Sequence, residues 1–468
     1  MSTTASKSYY DIDVPEGWEK TTLGKIGEYI NGRGFKKSEW ASEGLPIIRI
    51  QDLTGTGKEQ HYYAGEVEER YVINSGDLLI SWAATLGAYI WDGPKSVLNQ
   101  HIFKVDTYIN KKFHYYLIQH ILEDLYRQTH GSGMVHITKG KFESIPIGVP
   151  DKDAQARIVA EIDKQFSRLD EAVTSLKRAK ANLKRYKAAV LKAAIEGKLT
   201  EEWRKHHPDV EPASELLKRI LAERRRKWEE AELAKMRAKG REPKDEKWKE
   251  KYIHPRDSIY TEDSQLPNAW CWCLSDQLFW FITSGSRGWA KYYAADGPIF
   301  LRIGNLDHNS IELDLMNIQR VKPPIRVEGT RTRVHTGDIL ISITADVGMV
   351  AIVRDAFQET YINQHIALAR PVGKINRGFI AWYLAAIPGQ KQLRSLQRGA
   401  TKAGLGLNDI RTVNVPLPPL TEQNKIVSEI DIRSSLLQTL ENELERNLLS
   451  AASLRLYILK QAFVGELI

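Results

Sequence analysis

The chain has 468 residues and a formal net charge of +8, from 67 Lys and Arg against 59 Asp and Glu. This length allows about two to four domains, and the basic excess favours an acidic partner such as nucleic acid. The two cysteines, Cys271 and Cys273, fit neither a metal site nor a disulfide framework, and the N-terminal residues contain no apolar signal segment. The most apolar window, residues 339–353, is too short to span a bilayer. We therefore expect a cytoplasmic protein that does not bind membranes.

Residues 1–150 predict a small mixed domain with a mostly β core. Short β-branched and aromatic runs such as LPIIRI (45–50), DLLISW (77–82) and AYIW (88–91) are separated by turns that contain Gly and Asp. The segment FHYYLIQHILEDLYRQ (113–128) has the composition of a helix between strands.

Residues 151–199 predict one long helix. From Phe166 to Ala194 the apolar residues recur at steps of three and four, which is the spacing of a coiled coil. Pro150 precedes this segment and Gly197 follows it, as expected of helix ends. A helix of about 43 residues would be roughly 65 Å long.

Residues 200–264 are highly charged, as in KRILAERRRKWEEAELAKMRAKGREPKDEKWKEKY. We interpret them as a solvated helical connector followed by a looser tail. Direct contact of a basic helix face with DNA is the alternative.

The second half of the chain repeats the first. The matching segments are NQHI (99–102 and 363–366), RGFKK (33–37) with RGWAK (287–291), SGDLLIS (75–81) with TGDILIS (336–342), and Gln155, Ile158 and Ile162 with Gln423, Ile426 and Ile430. This duplication predicts an α+β protein with an internal pseudo-two-fold repeat. Two small mixed α/β domains, 1–150 and 265–418, are joined by two long helices, 151–199 and 419–468. Because the chain must return between copies, we expect an antiparallel coiled coil, with Asn447 on its seam.

The sequence carries no recognisable catalytic motif. GTGKEQ (55–60) lacks the spacing of a phosphate loop, and we find no adenine-methyltransferase motif, no nucleophile elbow and no metal-ligand spacing of His or Cys. We therefore expect a chain that is not catalytic by itself and binds no metal.

Several segments together resemble the specificity subunit of type I restriction–modification enzymes, over nearly the whole chain. They are HITKGKFESIPIGVP (136–150), IEGKLTEEWR (195–204), PLPPLTEQNKIV (416–427) and FVGEL (463–467), in a duplicated layout. The resemblance identifies 1–150 and 265–418 as two target-recognition domains. Each would read one half of a split sequence in double-stranded DNA, and the two helices would set the distance between the half-sites.

The resemblance also implies partners and cofactors. The helices would dock two copies of a methyltransferase subunit that methylates adenine N6. With a restriction subunit, the complex would translocate and cleave unmethylated DNA. This chain would bind no cofactor, whereas S-adenosylmethionine, ATP and Mg²⁺ would belong to the partner subunits.

The repeated Asn-Gln-His segment raises the question of base readout, because Asn and Gln pair with adenine in the major groove. Residues that are identical in both copies cannot carry a difference between two half-sites. We therefore predict that Asn99–His101 and Asn363–His365 close a turn or satisfy buried backbone groups. A phosphate contact or base readout by these residues remains the alternative.

By the same reasoning, shared basic residues are candidates for phosphate contacts, and loops that differ are candidates for readout. The differing loops are 81–87 against 342–348, 129–139 against 398–408, and the insertion that contains GTRTR (329–333). The DNA-binding candidates are Arg33, Lys36, Lys37, Trp82, Lys139, Arg287, Lys291, Arg331, Arg333 and Lys402. The candidates for binding the methyltransferase are Gln155, Ile158, Ile162, Gln423, Ile426 and Ile430.

Other classes of protein stay open on the sequence. A stand-alone architectural DNA-binding protein would need no partner, and a purely structural coiled-coil scaffold would not bind DNA. An enzyme with an unrecognised centre is the third alternative.

Overall fold

A computed structural model describes residues 13–128, 138–258, 266–285, 287–322, 330–354, 358–398 and 404–467. The chain divides into two compact units. Unit 1 comprises Met1–Ala179 and Glu443–Ile468, and unit 2 comprises Lys180–Asn442. Each unit therefore contains one mixed domain and one end of each long helix.

The strands of unit 1 form two four-stranded sheets and a separate pair. They are β1 (Glu19–Thr22), β2 (Gly27–Asn31), β3 (Leu45–Ile48), β4 (His61–Tyr63), β5 (Val72–Ile73), β6 (Leu78–Ser81), β7 (Gly87–Ile90), β8 (Ser96–Leu98), β9 (Ile102–Thr107) and β10 (Pro146–Val149). One sheet has the antiparallel order β2-β9-β6-β7, and the other has the order β4-β3-β8-β5 with β3 and β8 parallel. Strands β1 and β10 pair with each other. The helices are α1 (Leu23–Ile26), α2 (Ile50–Leu53), α3 (Lys111–Gln128), α4 (Lys139–Glu143) and α5 (Lys152–Ile195).

Unit 2 repeats this topology. Its strands are β11 (Cys271–Leu274), β12 (Phe279–Ser284), β13 (Tyr293–Leu301), β14 (Gln319–Val321), β15 (Ile339–Ser342), β16 (Val350–Ile352), β17 (Thr360–Ile362), β18 (Ile366–Pro371) and β19 (Asn414–Leu417). The sheet β12-β18-β15-β16 matches β2-β9-β6-β7, and β14-β13-β17 matches β4-β3-β8, again with its second pair parallel. The helices are α6 (Glu201–Lys205), α7 (Ala213–Ala238), α8 (Ser275–Leu278), α9 (Arg377–Ala385), α10 (Ile387–Ser395), α11 (Leu407–Ile410) and α12 (Leu420–Phe463). The predicted mixed fold and its repeat are confirmed.

The two cores differ around His114. In unit 1, the fully buried His114 bonds through Nδ1 to the Thr107 hydroxyl and through Nε2 to the Tyr29 hydroxyl, both at 2.9 Å. Strand register and the shared helix caps Asn110 and Asn376 place Ile282, Pro371 and Ile380 at the equivalent positions of unit 2. Unit 1 thus has three hydrogen-bonded polar side chains at these core positions, whereas unit 2 has three apolar ones.

The two long helices pack as an antiparallel pair. In unit 1 the start of α5, through Ile162 and Phe166, shares a core with Ile458 and Phe463 at the end of α12. Arg455 lies over the Phe166 ring, with its Cζ 4.1 Å from the centroid. In unit 2 the end of α5, through Ala194 and Ile195, shares a core with Ile426 and Ile430 at the start of α12. The predicted antiparallel arrangement is confirmed.

The predicted seam of the second helix is wrong in part. Asn447 is exposed, and so are Leu440 and Leu454, while Leu444 and Leu448 are half-buried. Leucines occupy both 448 and 449, so two apolar stripes one residue apart fit this part of the helix. The spacing of the apolar residues alone does not show which stripe forms the seam.

The inter-repeat segment forms a helix, as interpreted, but this helix is not fully solvated. Ala213, Leu216 and Ile220 of α7 are buried in the core of unit 2. Arg224 of the same helix donates to the Tyr252 hydroxyl at 2.9 Å and to Asp276 at 3.4 Å. The narrow apolar stripe is outnumbered by charges, yet it is sufficient to dock the helix because burial of each aliphatic side chain stabilises it by about 1.5–3 kcal/mol. None of the described helices could span a membrane.

Candidate nucleic-acid interface

The first Asn-Gln-His segment forms the turn between β8 and β9. The Asn99 backbone N–H donates to the Ile48 carbonyl at 3.0 Å, and the Asn99 side-chain oxygen accepts from the Gln100 N–H at 2.8 Å. The Gln100 N–H also donates to the Arg33 carbonyl at 2.9 Å. His101 has the left-handed φ of 73°, which reverses the chain into β9.

The second segment forms the same turn between β17 and β18. The Asn363 N–H donates to the Leu301 carbonyl at 3.0 Å, and the Asn363 side-chain oxygen accepts from the His365 N–H at 3.1 Å. A glycine lies against each turn. A Cβ atom on Gly32 or Gly285 would fall within 3.0 Å of the carbonyl oxygen of Asn99 or Asn363. The repeated segment therefore builds the turn, as the sequence predicted.

In unit 1, three loops meet at this turn. The Trp82 N–H donates to the His101 carbonyl at 3.2 Å, and its indole Nε1 donates to the Asn31 side-chain oxygen at 3.1 Å. Arg33 follows directly after Gly32, and its N–H donates to the Leu98 carbonyl at 2.9 Å. We call residues 31–37, 82–86 and 99–101 the turn edge of unit 1. Lys36 and Lys37 are exposed on it.

Arg33 is held firmly within this edge. Its Nη2 donates to the Glu39 carboxylate, and its Cζ lies 4.9 Å from the Phe35 ring centroid and 5.0 Å from that of Tyr63. Glu39 in turn accepts from the Lys36 backbone N–H at 2.8 Å. Hydrogen bonding to Tyr63, and then the charge of Glu39, raise the pKa of Arg33 above its ordinary value, so its charge is permanent.

The same edge is built in unit 2 with different side chains. The Ile343 N–H donates to the His365 carbonyl at 2.9 Å, which matches the bond of Trp82, and the Thr344 hydroxyl bonds to His365 Nδ1. The Leu405 N–H donates to the Ile343 carbonyl at 2.8 Å, and Gly404 bridges to Thr344. Residues 284–285, 287–291, 343–347, 363–365 and 404–405 form the turn edge of unit 2. Two of the predicted readout loops therefore meet beside the turn.

Other basic candidates have varied surroundings. Arg331 donates to the Thr283 hydroxyl near the end of β12, while Arg287 and Lys291 are exposed within the turn edge. Arg333 is exposed and forms a backbone bridge to Tyr361 on β17. Lys139 is exposed on α4, where its Nζ lies 3.6 Å from Glu143. Lys402 and residues 129–137 lie outside the described residues.

The candidates for binding the methyltransferase are misassigned. Gln155 and Gln423 are buried, and their amides hold each helix start to its domain. Their oxygens accept from the Asn110 and Asn376 N–H groups at 2.9 Å, and their nitrogens donate to the Pro150 and Pro418 carbonyls at 2.8 Å. The four isoleucines, Ile158, Ile162, Ile426 and Ile430, are at most 1% exposed. Residues shared by both copies here mark a shared core, and they leave no surface for a partner.

Two further features of the structure were not predicted from the sequence. Glu422 is completely buried in unit 2, where its carboxylate accepts from Arg204, from the Thr200 hydroxyl at 2.6 Å and from the Trp270 indole at 2.8 Å. The aliphatic side chains of Ile432 and Leu436 are 64% and 61% exposed on α12. The only sequence signal for the latter is that they lie off the coiled-coil seam.

The described residues contain no group of three or more His, Cys, Asp or Glu side chains placed to hold a metal ion. Burial raises the pKa of Cys271 to about 11 and raises that of Cys273 well above its ordinary value, so both thiols stay protonated at neutral pH.

The fold is duplicated, and the same edge is built twice with different loops around it. A family model described as the type I restriction modification DNA specificity domain matches residues 15–185 and 324–446, and the chain belongs to this family. It is a DNA specificity subunit of the type I restriction–modification class.

Individual relatives agree with this assignment. The chain is 24% identical over 468 residues to the type I restriction enzyme EcoBI specificity subunit of Escherichia coli, covering 97% of this chain and 87% of the relative. It is 21% identical to the EcoKI specificity subunit of Escherichia coli K12, covering 97% and 90%.

Solved structures show the same fold. The chain matches a structure from work on complex assembly and conformational transition of the type I R-M system with a TM-score of 0.66, at 17% identity, covering 97% of this chain and 100% of the other. It matches the HsdS subunit from Thermoanaerobacter tengcongensis with a TM-score of 0.50, at 18% identity, covering 97% and 98%.

Proposed function

We propose that the domain in each unit reads one half of a bipartite DNA target with its turn edge. The observation that carries this proposal is that both units have the same turn, while the residues beside the turn differ. The turn and its glycine are the same in both units, whereas Trp82 is replaced by Ile343 and Asn31 by Ser284. A common turn surrounded by different side chains suits the reading of two half-sites of different sequence.

The two long helices set the distance between the half-sites in this proposal. Both α5 and α12 have 44 residues without a break. At 1.5 Å per residue each is about 66 Å long, which is close to two turns of a DNA duplex at about 34 Å each. The gap between half-sites would then depend on helix length and not on base contacts.

The helices also dock two methyltransferase subunits, which methylate adenine N6. The exposed Ile432 and Leu436 of α12 replace the buried isoleucines as the surface we propose for this contact, because exposed aliphatic side chains lose water on binding. With a restriction subunit, the complex translocates and cleaves unmethylated DNA in the cytoplasm. S-adenosylmethionine, ATP and Mg²⁺ are bound by those partners, and this chain catalyses nothing alone.

Co-expression with a methyltransferase subunit, followed by mapping of N6-methyladenine on the host DNA, tests the proposal. We expect a split motif, with two short halves around a gap of fixed length. A continuous motif, or a stable complex that methylates nothing, would overturn the proposal. Sequence-independent DNA binding by the chain alone, without capture of the methyltransferase, would favour an architectural DNA-binding protein instead.

A further inference from the structure

Arg33 is the most tightly positioned cation on the turn edge of unit 1. Its backbone N–H and carbonyl are both bonded to the turn, at 2.9 Å each. Its guanidinium lies against two aromatic rings and donates to Glu39, yet 31% of its side chain is exposed. Arginine has five N–H donors in a planar fork, so donors remain for a ligand that approaches from solvent.

The neighbouring carboxylate makes this arginine a poor phosphate contact. Binding to the DNA backbone depends on charge attraction between a cation and a phosphate. Glu39 neutralises the charge of Arg33 and would repel a phosphate placed beside it. A phosphate contact also does not require a fixed fork, because lysine binds phosphates as a flexible point charge.

The same arrangement suits a guanine base. The O6 and N7 atoms of guanine are neutral acceptors, and a planar arginine fork pairs with both at once in the major groove. Such pairing depends on orientation, which Glu39, Phe35 and Tyr63 supply. The carboxylate itself is fixed by the Lys36 backbone N–H at 2.8 Å, so the whole assembly is ordered by local bonds.

The equivalent arginine of unit 2 lacks these supports. Arg287 is exposed, and the position that corresponds to Glu39 is Tyr293. Within the described part of the chain, no carboxylate pairs with Arg287. The ring of Trp289, the counterpart of Phe35, is buried and stacked on Phe300 with a centroid distance of 5.4 Å. An exposed arginine without a neighbouring carboxylate to repel the DNA backbone suits a phosphate contact.

We propose that Arg33 reads a guanine in the half-site bound by unit 1, with Glu39 as its positioning residue, and that Arg287 contacts the DNA backbone. The two residues occupy the same place in the repeat and differ in role. This inference rests on the proposed function, because it assumes that the turn edge faces DNA.

The test uses the complex with the methyltransferase subunit and compares Arg33→Lys and Glu39→Gln with Arg287→Lys as the matched control. For each variant, the methylation motif is mapped and binding to a library of DNA sites is measured. We expect Arg33→Lys to relax one guanine position in one half-site by about tenfold or more and to leave the other half unchanged. Glu39→Gln should relax the same position while strengthening binding to unrelated DNA. Arg287→Lys should leave the motif unchanged, and Arg287→Ala should reduce the salt dependence of binding by about one counterion.

The outcomes separate the two proposals. If the wild-type complex yields no split motif, the proposed function fails and this inference fails with it. If the split motif is present but Arg33→Lys and Glu39→Gln leave every position intact, while Arg33→Ala weakens binding evenly across sequences, the inference alone is refuted. Thermal melting of each variant, together with its capture of the methyltransferase, establishes that the variant is folded.

Discussion

Mild acid should destabilise unit 1 through His114. Burial lowers the pKa of this imidazole to about 3, from an ordinary value of about 6.5. Because the folded-state pKa is lower than the unfolded one, the fold favours the neutral ring. The resulting stability is complete above about pH 6.5 and is lost as the pH falls toward 3. The loss is about 1.4 kcal/mol at pH 5.5 and about 2.7 kcal/mol at pH 4.5.

Hydrogen exchange offers a measurement with an internal control. The amides of β2 and β9, which flank the Tyr29–His114 bond, report the opening free energy of unit 1. The matching strands β12 and β18 of unit 2 have Ile282 and Pro371 at the positions of Tyr29 and Thr107, and Ile380 of α9 takes the place of His114. After correction for intrinsic exchange rates, the opening free energy of β2 and β9 should fall by about 1.4 kcal/mol more than that of β12 and β18 between pH 7.5 and 5.5.

Two results would refute this reasoning. Equal pH dependence in both units would show that the buried ring is not the source. An NMR titration in which the His114 Cε1 proton shifts with a midpoint near pH 6.5 would show that the ring is charged in the folded state.

Four further outcomes follow from the structure. Gly32→Ala should destabilise unit 1 by about 1–3 kcal/mol in thermal melting, because its methyl group would overlap the backbone of the turn, whereas Gly140→Ala, with nothing within 4 Å, should not. Glu422→Ala should destabilise unit 2 by about 3–5 kcal/mol, since it leaves Arg204 without its buried partner, and no change in denaturant midpoint would contradict this. Leu436→Asp should leave the melting temperature unchanged and weaken capture of the methyltransferase about tenfold in a titration, and unaltered affinity would remove this residue from the docking surface. A seven-residue insertion in each long helix adds about 10 Å, so the mapped gap between half-sites should widen by about three base pairs. An unchanged gap would show that helix length does not set the distance between half-sites.

Much of the architecture was accessible from the sequence because it repeats. The helix bounds follow from Pro150 and Gly197 and from apolar steps of three and four, which are local signals. The role of the Asn-Gln-His turn followed from its identity in both copies. The same reasoning should have placed Gln155 and Gln423 in the core, since a residue kept in both repeats serves the frame that both repeats share.

The remaining features depend on contacts between distant parts of the chain. Glu422 binds Arg204, which lies 218 residues away, and nothing near either residue signals the pair. Docking of α7 depends on the packing of Leu216 and Ile220 against the core of unit 2. The many charged residues around these two positions make the apolar pattern hard to recognise in the sequence. The positioning of Arg33 by Tyr63 likewise needs a strand that is separated from it by a loop.

The attachment of the variable loops has a consequence for how such a protein changes. Trp82 and Ile343 are tied to their turns by a main-chain bond from N–H to the His101 or His365 carbonyl. A bond of this kind is indifferent to the side chain at the attachment point. Mutation can therefore change the side chain at this position while the main-chain bond that holds the loop to the turn is kept. In the laboratory, the same property makes these loops suitable places to graft random sequence.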